Sequence, residues 1–268
     1  MKFSLLLPIH IGIKFNDFKK SFDSLINQKV KPSEFIIILD GPVKGLIIDY
    51  IKLFKKKNRI KLIRNIKNIG LGASLKKGIL ISKFNLIIRA DSDVIYNVNR
   101  NKEMILFYLK NKSIDIFGSW MLEIDESQKY YQKKTPHTNE SIYSKMNFRN
   151  PINHPTVMFK KSKIILAGNY MHMPFFEDYY LWLRCKKIRC KFLNIKSNLA
   201  TNTIDLDYVK RRHGLNYFLD FLQFQRIIYK ENLVPLPIII INIFIRLFLL
   251  PLSVKLKLLM YKNFLRNS

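Results

Sequence analysis

The chain has 268 residues, 48% of them hydrophobic and 13% aromatic, which is enough to bury a sizeable core and excludes an intrinsically disordered protein. Its 47 Lys and Arg against 19 Asp and Glu give a formal net charge of +28, which favours an anionic partner: a membrane surface, a nucleic acid or a phosphorylated substrate. Lysine, isoleucine and asparagine are abundant throughout, so part of this charge reflects compositional bias and is weak support for nucleic acid.

The N-terminal part of the chain predicts short buried strands that alternate with helices. Its first apolar run, at 3–9, is interrupted by Pro8 and precedes no small-residue cleavage site, so we interpret it as a strand and not as a signal peptide. Apolar runs predict further strands at 35–39, 60–63 and 86–88, and helical spacing predicts helices at 15–26, 47–54 and 73–81. Such alternation is typical of an α/β fold, in which helices cover both faces of a mainly parallel sheet.

The pattern changes after residue 114. Residues 114–122 predict a strand, and 125–150 are polar and predict an irregular loop over a site. Residues 150–159 predict a turn and then a strand, and 174–187 predict an amphipathic helix. Two cysteines, Cys185 and Cys190, exclude a disulfide framework and fit no common zinc pattern, which indicates a structural role.

The C-terminal segment is very hydrophobic, but polar and proline residues interrupt it before the roughly 20 apolar residues that a spanning helix needs. We therefore predict amphipathic helices on an anionic membrane surface; a buried or dimer-forming helix and a true span are the alternatives. The cations expected to face lipid headgroups are Lys255, Lys257, Lys262 and Arg266. The chain is thus divided into a domain at 1–215 and a helical, membrane-associating extension at 216–268.

Acidic residues follow two of the predicted strands. Asp91 and Asp93 flank Ser92 after the strand at 86–88, and alternate residues of an extended segment point the same way. Two carboxylates and a substrate phosphate are suited to Mg²⁺ or Mn²⁺, whereas a turn that caps the strand is the alternative. Asp40 ends another strand, and ligands of parallel sheets bind at that edge.

Three other features could carry chemistry. Glu177 and Asp178 begin a predicted helix, where one could act as a general base or both could simply stabilise the helix dipole. The glycine-rich segment at 68–78 could cradle a phosphate or form a tight turn. His213 follows three cations and would matter only if a diphosphate lies nearby.

Several of these segments occur in the order and spacing of family 2 inverting glycosyltransferases, and they most resemble bacterial enzymes that build lipopolysaccharide O-antigen and capsule. The resemblance covers about residues 3–215 and implies the GT-A fold, which has a Rossmann-like sheet and binds a nucleotide-diphospho-sugar. It implies inverting transfer, with a UDP-sugar as the expected donor, to a hydroxyl of a lipid-linked or polysaccharide acceptor. The matching segments are LLLPIH, FIIILDGP, NIGLGASLKKGI, IIRADSDV, NPINHPTVMFKKS, AGNY, FFEDYYLWLR and RRHG.

The resemblance also implies a role for each matched residue. The nucleotide would contact Pro8, Ile9, His10, Asp40, Ala90, Asp91 and Ser92. Mn²⁺ or Mg²⁺ would be held by Asp93, with Asp91 and His213 as further candidates. Asp178 would be the catalytic base and Glu177 would orient the acceptor, while Arg211 and Arg212 would lie over the diphosphate. The chain departs from the family where Asp40 begins Asp-Gly-Pro and where Leu75 and Lys76 replace a nucleotide-contacting residue.

The resemblance predicts a cytoplasmic enzyme that is peripheral on the inner face of the bacterial plasma membrane, with no nucleic-acid partner and a possible homodimer. Three alternatives are open at this stage. One is a polyprenyl-phosphate glycosyltransferase, which shares the early motifs. The others are a basic nucleic-acid-binding protein, which predicts a coherent basic face, and a catalytically silent scaffold at the membrane.

Overall fold

The computed structural model describes residues 1–264, so the predicted lipid-facing cation Arg266 lies outside the described residues. Within this range the strands are β1 (Ser4–His10), β2 (Glu34–Asp40), β3 (Ile60–Asn65), β4 (Leu86–Arg89), β5 (Ile95–Tyr96), β6 (Ile116–Ile124), β7 (Tyr130–Lys133), β8 (Met158–Lys160) and β9 (Phe192–Thr203). The helices are α1 (Phe15–Ile26), α2 (Gly45–Phe54), α3 (Leu71–Ile81), α4 (Arg100–Lys110), α5 (Asn139–Lys145), α6 (Lys161–Leu166), α7 (Glu177–Lys187), α8 (Leu206–Lys210), α9 (Gly214–Lys230), α10 (Leu236–Leu249) and α11 (Val254–Phe264).

The described strands form one sheet in the order β3-β2-β1-β4-β8-β6-β9-β5, with β7 paired to β6. Strands β1 to β4 are mutually parallel, as are β6 and β9, whereas β8 runs antiparallel to both β4 and β6. The register pairs His10 with Asp40 and Asp40 with Asn65. The carboxyl ends of the first three strands therefore meet at one edge, as the α/β prediction requires.

Both faces of the sheet are buried at its central strands, which explains their continuous apolar runs. In β2, Ile36 and Ile38 pack in a core layer with α3 and α7, whereas Ile37 packs on the opposite face with α1 and α2. Alternate residues of a strand point to opposite faces, so a strand buried on both sides is apolar at every position along its middle.

Helix α3 lies very close to the sheet at Gly78. A Cβ added there would clash with Leu6 Cδ1 and would lie 2.8 Å from Ile38 Cδ1. We expect Gly78→Ala to lower the free energy of unfolding by about 1–3 kcal/mol, because these core side chains must move. Urea unfolding followed by circular dichroism measures the change. The matched control is Gly45→Ala in α2, where nothing lies within 4 Å of the added carbon. An equal loss in both variants would contradict close packing as the cause.

The prediction of an irregular loop at 125–150 is wrong in part. Strand β7 pairs with β6 as a hairpin, and α5 begins with a capping box between Thr138 and Ser141. Sequence patterning missed β7 because its residues are polar, and it missed β9 because the strand continues into the polar run at 196–203. The pairing of β9 with β6 joins segments distant in the chain, which local periodicity cannot reveal.

The C-terminal helices pack on the core layer that contains α7. In α9, the ring of Phe224 stacks on Phe176 with centroids 4.7 Å apart, and the boundary predicted at residue 215 falls at the beginning of this helix. In α10, Asn242 Nδ2 donates to the Asn147 carbonyl at 2.9 Å. No helix in residues 1–264 combines the length and apolarity needed to cross a membrane. The division into two parts stays a prediction.

Candidate functional site

A large cleft opens at the carboxyl ends of β1, β2 and β4. It brings together predicted site residues from segments that are distant in the chain. Its lining includes Pro8, Ile9, His10, Asp40, Asp91, Ser92, Asp93, Glu177, Asp178, Arg211 and Arg212. In the described part of the chain, Ala90 and His213 are absent from this lining. Ala90 is fully buried, and His213 Nδ1 lies 2.9 Å from Lys257 Nζ.

Asp91 forms an ion pair with an arginine inside the protein. Arg89, the last residue of β4, is buried, and both of its terminal nitrogens donate to the Asp91 carboxylate, Nη1 to Oδ2 at 2.6 Å. Burial alone would lower the pKa of Arg89, but the charge of Asp91 raises it above the ordinary value. Asp91 thus neutralises a buried cation beneath the cleft, a role that the sequence interpretation did not include.

Asp93, in contrast, is exposed to the cleft. Ser92 and Asp93 form a turn, so the expected presentation of both carboxylates by an extended segment is wrong. The two side chains nevertheless interact: desolvation raises the pKa of Asp93, and the negative charge of Asp91 raises it further, while His10 lowers it. A cation would relieve this repulsion between like charges. Carboxylate oxygens are hard donors, and Asp93 on the cleft lining fits Mn²⁺ or Mg²⁺.

The described residues contain no group of three or more His, Cys, Asp or Glu side chains placed to hold a metal ion. A site with one or two carboxylates is still chemically reasonable when substrate phosphates complete the coordination shell. Asp93 is the better candidate ligand, because Arg89 already occupies both oxygens of Asp91.

Asp40 anchors the glycine-rich loop. Its Oδ1 accepts hydrogen bonds from Asn65 Nδ2 at 3.0 Å and from the Ile69 N–H at 2.9 Å, and its Oδ2 accepts from the Gly70 N–H at 3.0 Å. Gly70 has φ of +88°, a left-handed conformation that favours glycine. The loop is therefore a turn fixed by a buried carboxylate.

Asp178 lies in the first turn of α7, and its carboxylate is held at both oxygens. Asn150 Nδ2 donates to Oδ2 at 2.6 Å, and the Tyr179 N–H donates to Oδ1 at 2.8 Å. Burial raises the pKa of Asp178, and these two hydrogen bonds partly oppose the rise. A fixed carboxylate of raised pKa is suited to accept a proton.

Two neighbours complete the surroundings of Asp178. The His154 ring lies with Nδ1 3.9 Å from Asp178 Oδ2 and Nε2 2.7 Å from the Tyr170 hydroxyl. Burial, and then the charge of Arg89, hold the pKa of His154 well below its ordinary value, so the ring is neutral. Burial raises the pKa of Glu177 to about 7. Glu177 is also held close to α3, since a Cβ on Gly72 would lie 3.2 Å from Glu177 Cγ.

Cations from the C-terminal segments also line the cleft. Arg211 and Arg212 follow α8, and the Arg212 guanidinium lies 4.3 Å over the Tyr208 ring and donates to the Tyr208 carbonyl at 3.1 Å. Arg246 from α10 and Lys257 from α11 are further cations of the lining. The cleft thus combines carboxylates at the sheet edge with cations, an arrangement suited to a diphosphate with a metal ion.

Sequence reasoning missed Arg89, Asn150 and Tyr170 as site residues. Arg89 gave a usable signal, because an arginine at the end of a buried apolar strand needs a counter-charge nearby. Asn150 and Tyr170 lie in segments whose contacts with Asp178 and His154 arise only from tertiary packing.

Comparison with known proteins gives concordant matches. Residues 4–167 match the family model described as Glycosyl transferase family 2. The UDP-Gal:alpha-D-GlcNAc-diphosphoundecaprenol beta-1,3-galactosyltransferase of Escherichia coli is 34% identical over 268 residues, covering 99% of this chain and 97% of that protein. The amylovoran biosynthesis glycosyltransferase AmsE of Erwinia amylovora is 29% identical over 225 residues, or 84% and 85% of the two chains. A similar fold occurs in the mannosyltransferase PcManGT of Pyrobaculum calidifontis, solved in complex with GDP-Man and Mn²⁺, with a TM-score of 0.67 and 10% identity over 97% of this chain and 74% of that one.

Proposed function

The chain belongs to glycosyl transferase family 2, with the GT-A fold, and we propose that it transfers a sugar, with inversion, from a nucleotide-diphospho-sugar to an acceptor hydroxyl. The observation that carries the proposal is the joining of Asp91, Asp93 and Asp178 in one cleft at the carboxyl edge of the sheet. Asp93 would serve the donor diphosphate and its metal, Asp91 neutralises the buried Arg89 next to it, and Asp178 would serve the acceptor.

The donor is proposed to lie along the sheet edge, with its base near Pro8, Ile9 and His10 and its diphosphate between Asp93 and the Arg211–Arg212 segment. Mn²⁺ or Mg²⁺ on Asp93 would neutralise charge on the departing nucleotide diphosphate. Arg211 and Arg212 would add fixed positive charge on the other side of the diphosphate. A uridine nucleotide is the expected donor, in keeping with the UDP-Gal that gives the 34% identical relative its name.

The proposed chemical step is a direct displacement at the anomeric carbon. The acceptor oxygen attacks from the face opposite the diphosphate, so the carbon–oxygen bond forms on one side as the bond to the diphosphate breaks on the other. A carboxylate oxygen of Asp178 takes the proton from that hydroxyl. Hydrogen bonds from Asn150 and from the Tyr179 N–H fix the orientation of this carboxylate. Glu177, the preceding residue of α7, would orient the acceptor. The configuration of the sugar is inverted because the attack comes from behind.

The acceptor is proposed to be lipid-linked. The name of the 34% identical relative gives a GlcNAc on diphosphoundecaprenol, AmsE is named for amylovoran biosynthesis, and the 30% identical WbnJ of Escherichia coli is named for O-antigen biosynthesis. By this likeness the chain would act in O-antigen or capsule synthesis, at the inner face of the plasma membrane. Its net charge of +28 suits an anionic membrane surface.

Family membership favours this function over a basic nucleic-acid-binding protein and over a silent scaffold. The same likeness favours a sugar hydroxyl over a polyprenyl phosphate as acceptor. The test is a panel of nucleotide sugars incubated with the purified protein and Mn²⁺, with release of the nucleotide diphosphate as the readout. Turnover of one donor supports the proposal, whereas no turnover or binding of any donor rejects it.

Asp93→Ala is expected to remove the gain in nucleotide affinity that a metal provides. Calorimetric titration of UDP with and without Mn²⁺ should show metal-enhanced binding for the wild type and a loss of about tenfold or more of that enhancement in the variant. Asp49→Ala, on the exposed surface of α2, is the control and should bind as the wild type does. Metal-enhanced binding that survives Asp93→Ala would remove Asp93 from the proposed metal site.

A further inference from the structure

Helix α10 has an exposed face made entirely of apolar residues. Its only charged residue, Arg246, is partly buried, and its one amide, Asn242, is buried against the domain. Solvent-exposed helix faces of soluble proteins are normally polar, and contiguous apolar patches mark contact surfaces. The exposed large side chains are Leu236, Ile240, Ile241, Phe244, Ile245, Leu247 and Phe248.

The dimensions of α10 fit a helix lying in the membrane interface. Its 14 residues span about 21 Å at 1.5 Å per residue, whereas the hydrocarbon core of a bilayer is about 30 Å thick. One face is fixed to the domain: Ile239 is buried, and the Arg246 guanidinium lies 5.0 Å over the Phe221 ring of α9. Only the other face is available, so the helix can bury its apolar side chains at the depth of the headgroups without crossing.

The charges beside this face favour an anionic surface. Lys255 is exposed in the first turn of α11, the helix that follows α10. The chain as a whole carries a formal net charge of +28. Arg246 and Lys257 line the cleft and do not belong to the exposed face. An exposed apolar helix face beside positive charge is typical of helices that bind anionic lipids.

The position of α10 relative to the cleft sets the orientation. Residues of α10 and α11 line the cleft, and Lys257 Nζ of α11 lies 2.9 Å from Nδ1 of His213, the residue after Arg212. Helix α10 therefore has one flank on the cleft and another on the exterior. A bilayer that covered the exposed flank would be in contact with a helix that also lines the cleft.

We infer that the exposed face of α10 docks on an anionic lipid bilayer and holds the acceptor side of the cleft at the lipid surface. The membrane contact is inferred from the properties of α10 and its surroundings, whereas its consequence for a lipid-linked acceptor rests on the proposed function. A second copy of the chain is the competing occupant, and the experiments below separate the two.

The first experiment measures vesicle binding by co-sedimentation. Wild-type protein is expected to bind vesicles of phosphatidylcholine and phosphatidylglycerol in equal amounts far better than vesicles of phosphatidylcholine alone. Phe244→Asp combined with Phe248→Asp should weaken binding by at least about tenfold. The matched control is Leu46→Asp with Leu53→Asp on α2: these side chains are 59% and 76% exposed, against 65% and 78% for Phe244 and Phe248. The inference would be overturned if the two double variants bound vesicles equally well. It would also be overturned if the wild type formed a dimer through α10 and did not bind vesicles.

The second experiment separates docking from catalysis. The two double variants are assayed with an acceptor embedded in the anionic vesicles and with a short-chain, water-soluble form of the same sugar diphosphate. The α10 variant should lose transfer to the embedded acceptor about tenfold and retain transfer to the soluble one. Equal loss on both acceptors would overturn the inference. Vesicle binding without transfer to either acceptor by the wild type would instead reject the proposed function and leave the docking surface supported.

Discussion

Asp178→Asn is expected to lower kcat for sugar transfer by roughly 10²- to 10⁴-fold, the range for loss of a general base. The amide keeps the size of the carboxylate and can still bond Asn150, but it cannot take a proton from the acceptor hydroxyl. The donor should bind with unchanged affinity, because the sheet edge and the arginines remain. Single-turnover transfer assays and calorimetry with UDP and Mn²⁺ measure the two quantities separately.

Glu177→Gln is the informative comparison for this experiment. Glu177 lies one residue before Asp178, and burial raises its pKa to about 7, so it is a second carboxylate that could serve as the base. We expect its variant to raise KM for the acceptor more than it lowers kcat. A large loss of kcat in Glu177→Gln together with normal turnover in Asp178→Asn would reverse the two assignments.

The transfer rate of the wild type should also fall as the pH drops, because the raised pKa of Asp178 leaves a smaller fraction of the base ionised.

Asp91→Ala is expected to lower the free energy of unfolding by about 3 kcal/mol, because it leaves the buried Arg89 guanidinium without its counter-charge. Urea denaturation followed by circular dichroism measures the loss. The control is Asp49→Ala, which breaks a surface ion pair with Lys52 and should change stability by less than about 1 kcal/mol.

A compensating variant sharpens this prediction. Replacing both partners, Arg89→Met with Asp91→Asn, removes the buried charge along with its partner and should recover part of the stability. A single Asp91→Ala variant as stable as the wild type would show that Arg89 does not depend on Asp91. The adjacent Asp93→Ala should leave stability unchanged, so the two aspartates are expected to separate into a structural and a ligand-binding residue.

The sequence predicts the parallel half of the fold well because each element there is locally encoded. Strand β2 is apolar at 35–39 and ends at the turn that begins with Asp40, and α1 has its phenylalanines at helical spacing. Strand β9 is different, since its second half is polar and is stabilised by pairing with β6. Pairing between segments so distant in the chain is not visible in local periodicity.

The candidate site, too, could be predicted from the sequence only in part. The positions of Asp91, Asp93 and Asp178 could be predicted, because they follow a strand or begin a helix. The surroundings of these side chains could not be predicted. Asp91 differs from Asp93 because Arg89 binds Asp91. The carboxylate of Asp40 binds the backbone of the loop at 69–70. Such differences depend on which side chains share a buried volume, which is a property of the folded chain.

The most direct test of the proposed function is the anomeric configuration of the transfer product. Wild-type protein would be supplied with an α-linked nucleotide sugar, Mn²⁺ and the soluble sugar-diphosphate acceptor, and the new linkage would be read from its anomeric proton coupling by NMR. Direct displacement with Asp178 as the base predicts a β-linked product. An α-linked product would contradict it, because retention requires a second displacement or a different face of attack.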